Sequence, residues 1–280
     1  MADRVAYPGR EGAHSSAACD RLFPNSPELV PLPNFSAVAD AVASGEVDFG
    51  VLPIESSLAG PVAETHDLLY DSPLSIVAQT VIPIHHCLVG VQQVPLDQIR
   101  VVHSRPIALD QCRQFLASIP WATVVANATT VGAAQEIAAK GDPSEVAIAS
   151  ERAANVLGLE ILARDIGDHP EAFTRFVSLA TYTRLDCDGE DWRLAFSFVT
   201  DHRPGALFRA LEPFYRNAID LVELVSRPIP HKPWRYRFDA VLAGFPLDPL
   251  VRETLDEMLT LTRELRVFGS YPAAHVDPIV

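Results

Sequence analysis

The sequence predicts an α/β region built on parallel sheets, followed by a smaller α+β unit of the ferredoxin-like kind. Three observations carry this. Between residues 1 and 165, short apolar runs each pass through Ser or Thr into a stretch of helical periodicity. An acidic, apolar-poor segment, TYTRLDCDGEDW at 181–192, then interrupts the chain. Beyond it the runs follow the order βαββαβ. Short β-rich runs alternating with helices imply strands joined by crossover helices.

The elements follow in order. RVAY (4–7) leads through Ser15 and Ser16 into AACDRLF, and VDFGVLPI (47–54) leads into Ser56 and Ser57. IRVVHS (99–104) precedes Pro106 and ALDQCRQFLASI; TVVANA (123–128) precedes Thr129, Thr130 and VGAAQEIAAKG; EVAIAS (145–150) precedes ERAANVLGL. Ser104, Thr129 or Thr130, and Ser150 occupy positions where helix N-caps belong, with Pro106 suited to a first helical position. Cys112 falls on one helical stripe with Ala108, Phe115, Leu116 and Ile119, which predicts a single helix there. In the second unit RLAFSFVT and DLVELVSRP read as strands flanking PGALFRALEPFYRNA, whose stripe is Leu207, Ala210, Leu211 and Phe214. Pro213 inside that helix predicts a kink or an early end. After the turn-rich PHKPW come a strand in YRFDAVLAGF, a helix in DPLVRETLDEMLTLTRE and a last strand in LRVFGSY.

Composition narrows the function classes. At 280 residues and 48% hydrophobic, the chain has material for two domains. A net charge of −14 opposes attraction to nucleic acid and to anionic membranes, so neither is an expected partner. The start MADRVAYPGREG carries no apolar run behind a basic segment and no later stretch is long enough to span a bilayer, so the expected location is cytoplasmic. Cys19, Cys87, Cys112 and Cys187 are too scattered for zinc or a disulfide framework and read as reduced thiols. His85 and His86, adjacent in an extended run, point to opposite faces and lack ligand spacing, so no metal is expected.

In open α/β sheets ligands gather beyond the carboxyl ends of the strands, where helices begin with unpaired N–H groups and partial positive charge. In so acidic a protein, a negatively charged substrate has to be captured by such local features.

The chain resembles the prephenate dehydratase family, a catalytic α/β region followed by an ACT regulatory domain. The resemblance rests on collinear segments over nearly the whole length: AYPGREGAHSSAA, DFGVLPIESSLAGPV, DLL at 67–69, HSRPIALDQC, TTVGAA, AIASERAA, FTRF (173–176), RPGAL (203–207), VSRP (225–228) and FGSYP. It implies two lobes like those of periplasmic binding proteins over residues 1–182, the second at roughly 80–165, a linker at 183–191 and an ACT domain over 192–280. It also implies conversion of prephenate to phenylpyruvate with loss of water and CO2, without cofactor or metal, in a homodimer or homotetramer regulated by L-phenylalanine.

By the same resemblance Thr174 assists departure of the ring hydroxyl. Ser15, Glu55, Ser56, Ser57, Ser104, Arg105, Arg175 and Phe176 are candidates for substrate binding. Gly205, Ala206, Leu207, Ser226, Arg227 and Pro228 are candidates for the effector site. If FTRF is extended, Thr174 and Phe176 share a face and Arg175 points to the other, where an acidic neighbour would pair with it.

Several positions depart from the family pattern. Gly-Thr-Phe-Ser reads Gly12-Ala13-His14-Ser15, Glu-Asn-Ser reads Glu55-Ser56-Ser57, and Ser-His-Pro-Gln reads Ser104-Arg105-Pro106-Ile107. Ala172 replaces an Asn, and Glu-Ser-Arg-Pro reads Val225-Ser226-Arg227-Pro228. Lost amides remove donors and acceptors, while Arg105 offers a bidentate grip on a carboxylate. An arogenate dehydratase and a noncatalytic metabolite sensor are therefore kept as alternatives.

Overall fold

In the computed structural model, residues 2–185, 191–229 and 232–274 are described. Cys187 and most of the expected 183–191 linker lie outside them. The first lobe contains β1 (Arg4–Pro8), α1 (His14–Leu22), β2 (Glu28–Leu32), α2 (Phe35–Ala43), β3 (Phe49–Ser56), β4 (Gly60–Pro61), α3 (Ala63–Asp71) and β5 (Ser75–Pro83). The chain then crosses to a second lobe of β6 (Cys87–Gly90), β7 (Val101–Ser104), α4 (Pro106–Asp110), α5 (Arg113–Ala117), β8 (Thr123–Ala126), α6 (Thr130–Lys140), β9 (Glu145–Ala149), α7 (Glu151–Leu157) and β10 (Glu160–Ala163). It returns as β11 (Phe173–Ala180), which enters the first sheet between β3 and β5.

The sheets are mixed, in the orders β2-β1-β3-β11-β5 and β10-β6-β9-β7-β8. Parallel pairing is confined to β1 with β2 and β3, and to β7 with β8 and β9. The expected parallel pairing thus holds for part of each sheet: strands that bridge the lobes must run back, and β11 pairs antiparallel on both sides. Thr129 caps α6 by accepting from Gly132 N, and Ser150 caps α7 by accepting from Ala153 N; both helices end on a left-handed glycine. Ser104 caps nothing. It is fully buried and its hydroxyl donates to Ile148 O at 2.7 Å.

The single helix expected around Cys112 breaks into α4 and α5. Cys112 stays in one core cluster with Ala108, Phe115, Leu116 and Ile119, while the carboxylate of Asp168 accepts from Arg113 N and Gln114 N. A cap from 55 residues away starts a new helix, which periodicity cannot foresee.

The last unit is β12 (Trp192–Val199), α8 (Ala206–Arg216), β13 (Leu221–Pro228), β14 (Tyr236–Ala243), α9 (Pro249–Leu261) and β15 (Glu264–Pro272), paired antiparallel in the order β13-β14-β12-β15. This is the expected βαββαβ sandwich. α8 runs three residues past the buried Pro213, so the proline does not end it.

Two faces of the first sheet decide where the site lies. On one, Ala18 and Cys19 of α1 pack against Val5, Tyr7, Val51, Ile82 and Phe176. On the other, residues of α2 and α3 share a core with Leu52, Ile76, Val177 and Leu179, which continues into Ala195, Phe268 and Tyr271 of the last sheet. The third unit is therefore cemented onto the first lobe by apolar burial rather than tethered. Gly269 makes this approach feasible: its φ is +140°, and a Cβ there would sit 2.3 Å from Ile76 O.

Candidate active site

Thr174 lies half-buried at the open end of β11. It is directly opposite Ile82 on β5 and Ser56 on β3, so the three side chains share the face on which α1 packs. Ser57, exposed beyond β3, fastens this end: Phe173 N donates to Ser57 Oγ at 2.9 Å, and Ser57 N donates to Phe173 O at 2.9 Å. Ser56 Oγ turns back to accept weakly from Ala59 N at 3.3 Å. Both serines thus shape the loop beside Thr174.

Contacts join the loop before α1 to the second lobe. Ser150 Oγ donates to Gly12 O at 2.9 Å, Arg10 Nη1 donates to Gln135 Oε1 at 2.6 Å, and a Cβ on Gly12 would meet Ala153 Cα at 2.9 Å. The loop before α1 is thereby pressed onto the middle of α6 and the start of α7. Unlike those helices, α1 begins at Ala13 with no side-chain cap, which leaves its first N–H groups for other acceptors. Ser15 sits in that first turn, half-buried. Arg105, exposed at the start of α4, has no ion-pair partner among the described residues.

His14 occupies the same helix start. Desolvation, then the imidazoles of His86 and His85, push its pKa down to about 4. Its cationic form is thus disfavoured near pH 7. His85 and His86 are in the irregular connection between lobes, not in a strand: His85 pairs with Asp165 at 2.9 Å, and His86 Nε2 meets Gln111 Oε1 at 2.8 Å.

Four expected contacts lie elsewhere. Phe176 is 2% exposed and belongs to the core under α1, two residues too deep to meet a ligand. Ser104 is buried, as described above. Arg175 and Glu55 are opposite each other on the far face of the sheet, where Arg175 Nη1 lies 3.0 Å from Glu55 Oε2 and 3.2 Å from Glu223 Oε2. Strand alternation foresees the outward turn of Arg175; the acidic partner Glu223 was not foreseen.

The last unit contains a cavity of about 850 Å3, lined among others by Arg203, Gly205, Ala206, Leu207, Tyr236 and Phe238. Ser226 is opposite Phe238 on the same face of the sheet, and the exposed Pro228 ends that strand. Arg227 is on the opposite face, where it donates to Asp67 Oδ2 at 2.8 Å and to Ala63 O at 3.2 Å. Its assignment to the effector site is corrected: it ties β13 to α3.

Around it is a polar cluster that the sequence reading missed. Arg237 donates to Asp67 Oδ1 at 2.7 Å and Asp239 Oδ1 at 3.2 Å, lies over the Tyr70 ring at 4.4 Å, and Asp239 in turn meets His66 Nδ1 at 3.1 Å. The signal was present: charges at 223, 227, 237 and 239 all fall on one face of neighbouring strands.

Two mixed α/β lobes, the first packed against a βαββαβ unit that has a cavity of its own, define the architecture. Residues 5–184 match the family described as prephenate dehydratase. The chain is 34% identical over 278 residues to "Arogenate dehydratase/prephenate dehydratase 2, chloroplastic" of Arabidopsis thaliana, covering 96% of this chain and 72% of that protein. Among solved structures, the prephenate dehydratase of Arthrobacter aurescens in complex with L-Phe superposes with a TM-score of 0.90 at 28% identity, covering 99% of this chain and 92% of that one. GqqA, described as a novel type of quorum quenching acylase, gives 0.88 at 30% identity, with 98% of both chains covered. The chain belongs to the prephenate dehydratase family of enzymes.

Proposed function

We propose that this chain is a cytoplasmic enzyme that converts prephenate to phenylpyruvate on the route to L-phenylalanine, with Thr174 assisting the departing hydroxyl. The observation that carries this reading is the placement of Thr174: half-buried at a strand end, opposite Ser56, on the face covered by α1, a helix whose start has no side-chain cap.

Prephenate carries two carboxylates and a ring hydroxyl. Cleavage of the C–C bond to CO2 sends its electron pair into the ring as the hydroxyl leaves, and aromatisation drives the step. The protein has to orient the carboxylates, donate a hydrogen bond to the leaving oxygen and exclude water. The N–H groups beginning α1 and the guanidinium of Arg105 suit the carboxylates. The Thr174 hydroxyl, a very weak acid, suits a hydrogen bond or a proton relay to the leaving oxygen. The neutral His14 adds a dipole without adding charge.

L-phenylalanine is the proposed effector, bound in the cavity at Gly205, Ala206 and Leu207, where Phe238 and Tyr236 offer ring contacts. Exposed Phe208 and Tyr215 on α8, with Val222 and Leu224 on the edge strand β13, support assembly into a homodimer or homotetramer.

Incubating purified protein with prephenate, and separately with arogenate, while following phenylpyruvate or phenylalanine tests this reading. Turnover of prephenate, reduced by added L-phenylalanine, is the expected result. Absence of turnover on both substrates would refute it. Arogenate is included because the Arabidopsis relative is named for both substrates.

A further inference from the structure

One guanidinium nitrogen joins the sensing sheet to the strand that carries Thr174. Arg175 Nη1 is shared between Glu55 Oε2 at 3.0 Å and Glu223 Oε2 at 3.2 Å. Glu55 belongs to the catalytic sheet, and its neighbour Ser56 is opposite Thr174. Glu223 belongs to β13, on the face of the last sheet that packs against the first lobe: it pairs with Val241, which joins the shared core. Its side chain is 17% exposed and those of Glu55 and Arg175 are 32% and 39% exposed, so the pairing is partly screened from water.

Two carboxylates on one cation leave the cluster with a net negative charge. Burial, and then the charge of Glu55, push the Glu223 carboxyl above the usual carboxylate range, against the pull of Arg175 and His66. Such an arrangement is poor design for stability alone, since a neutral residue of similar shape would avoid both desolvation and repulsion. The placement makes sense if the carboxylate serves position. The pairing of β11 with β3 slips between Arg175 and Phe176, and bulges of this kind aim the neighbouring side chains. The group that holds Arg175 therefore influences how Thr174, one residue away, is presented.

The same strand reaches the cavity. Ile229, immediately after β13, lines it, as do residues 205–208 at the start of α8, the helix that leads into β13. Four residues from Glu223, on the same strand face, Arg227 grips Asp67 of α3. An occupant of the cavity thus touches the start of α8 and the residue that follows β13, a strand whose opposite face is fastened to the first lobe at two points. Where the family pattern has a Glu at 225, this chain has Val225, and Glu223 supplies a carboxylate two residues earlier on the same face.

We propose that Glu223, a residue of the sensing sheet, is a positioning residue for the dehydration: through Arg175 it sets the presentation of Thr174 and relays the state of the cavity to the active site. This rests on the reading of Thr174 given above.

The test compares wild type with Glu223→Gln, which keeps the shape and removes the charge, using steady-state kinetics on prephenate with and without L-phenylalanine, melting temperature, and amide hydrogen exchange over residues 173–177. The expected result is a kcat about tenfold lower with KM within about twofold, a weakened response to L-phenylalanine, faster exchange at 173–177, and a melting temperature equal to or above wild type. A merely structural role would lower the melting temperature instead. Wild-type kcat, effector response and exchange in the variant would overturn the proposal. If the wild type turns over neither prephenate nor arogenate while Glu223→Gln still accelerates exchange at 173–177, the functional reading falls and the link between the sheets stands.

Discussion

Arg237, 1% exposed on β14, donates to Asp67 Oδ1 of α3 at 2.7 Å, so a fully buried cation of the last sheet is held by a carboxylate of the first lobe. The same carboxylate receives Arg227 through its other oxygen. Burial works against the Asp67 anion, but the hydrogen bonds from Arg227 and Arg237 outweigh it and hold its pKa below the ordinary 3.8.

Replacing Asp67 with Ala strands Arg237 on Asp239 alone. Breaking a buried pair costs about 3–5 kcal/mol, and the partial exposure of Asp67 reduces this to about 1–3 kcal/mol. Denaturant unfolding at pH 7 should show that loss. A folded-state pKa below the unfolded one means the contribution is complete above pH 3.8 and is lost as pH falls through the folded value. The variant should therefore lose less stability than wild type on acidification in that range.

Thr174→Val keeps the branched shape and removes the hydroxyl. Loss of a proton donor at the leaving oxygen predicts a fall in kcat of about 10² to 10⁴, with the melting temperature unchanged and substantial activity kept in Thr174→Ser. Wild-type kcat in the Val variant would remove Thr174 from the chemistry.

His14 has a depressed pKa in the folded state, about 4 against 6.5 for the free side chain. Between those values the unfolded chain binds the extra proton, so stability rises with pH across that window and is lost as pH falls through it. Melting curves between pH 4 and 7 should show a smaller pH dependence for His14→Phe than for wild type. Equal slopes would mean that the imidazole titrates freely.

Gly269→Ala places a methyl group against the Ile76 backbone at 2.3 Å and forces a left-handed φ on a side-chain-bearing residue. Backbone atoms on both sides leave little room to relax, so the expected loss is about 2–4 kcal/mol. Thermal unfolding measures it; an unchanged melting temperature would mean that β15 lifts off β5 at little cost.

Much of this was legible along the chain. The caps at Thr129 and Ser150 were readable because a capping side chain acts within three residues. The outward turn of Arg175 follows from strand alternation. The strand-end position of Ser104 looks like a cap, whereas the hydroxyl finds Ile148 O, 44 residues on. Glu223, a glutamate in a strand, signals nothing until the opposing sheet is known.

The order of hydrophobic runs and turn residues by itself determined the kinds of element, the βαββαβ unit and the resemblance that singles out Thr174. Tertiary structure alone decided that β11 returns to the first sheet, that the last sheet packs on the same lobe, and that Glu223, Arg175 and Glu55 meet. Local periodicity reports which face of an element avoids water. It cannot report which distant face it will bury against, and charges that face each other across that junction are set by packing between segments far apart in the chain.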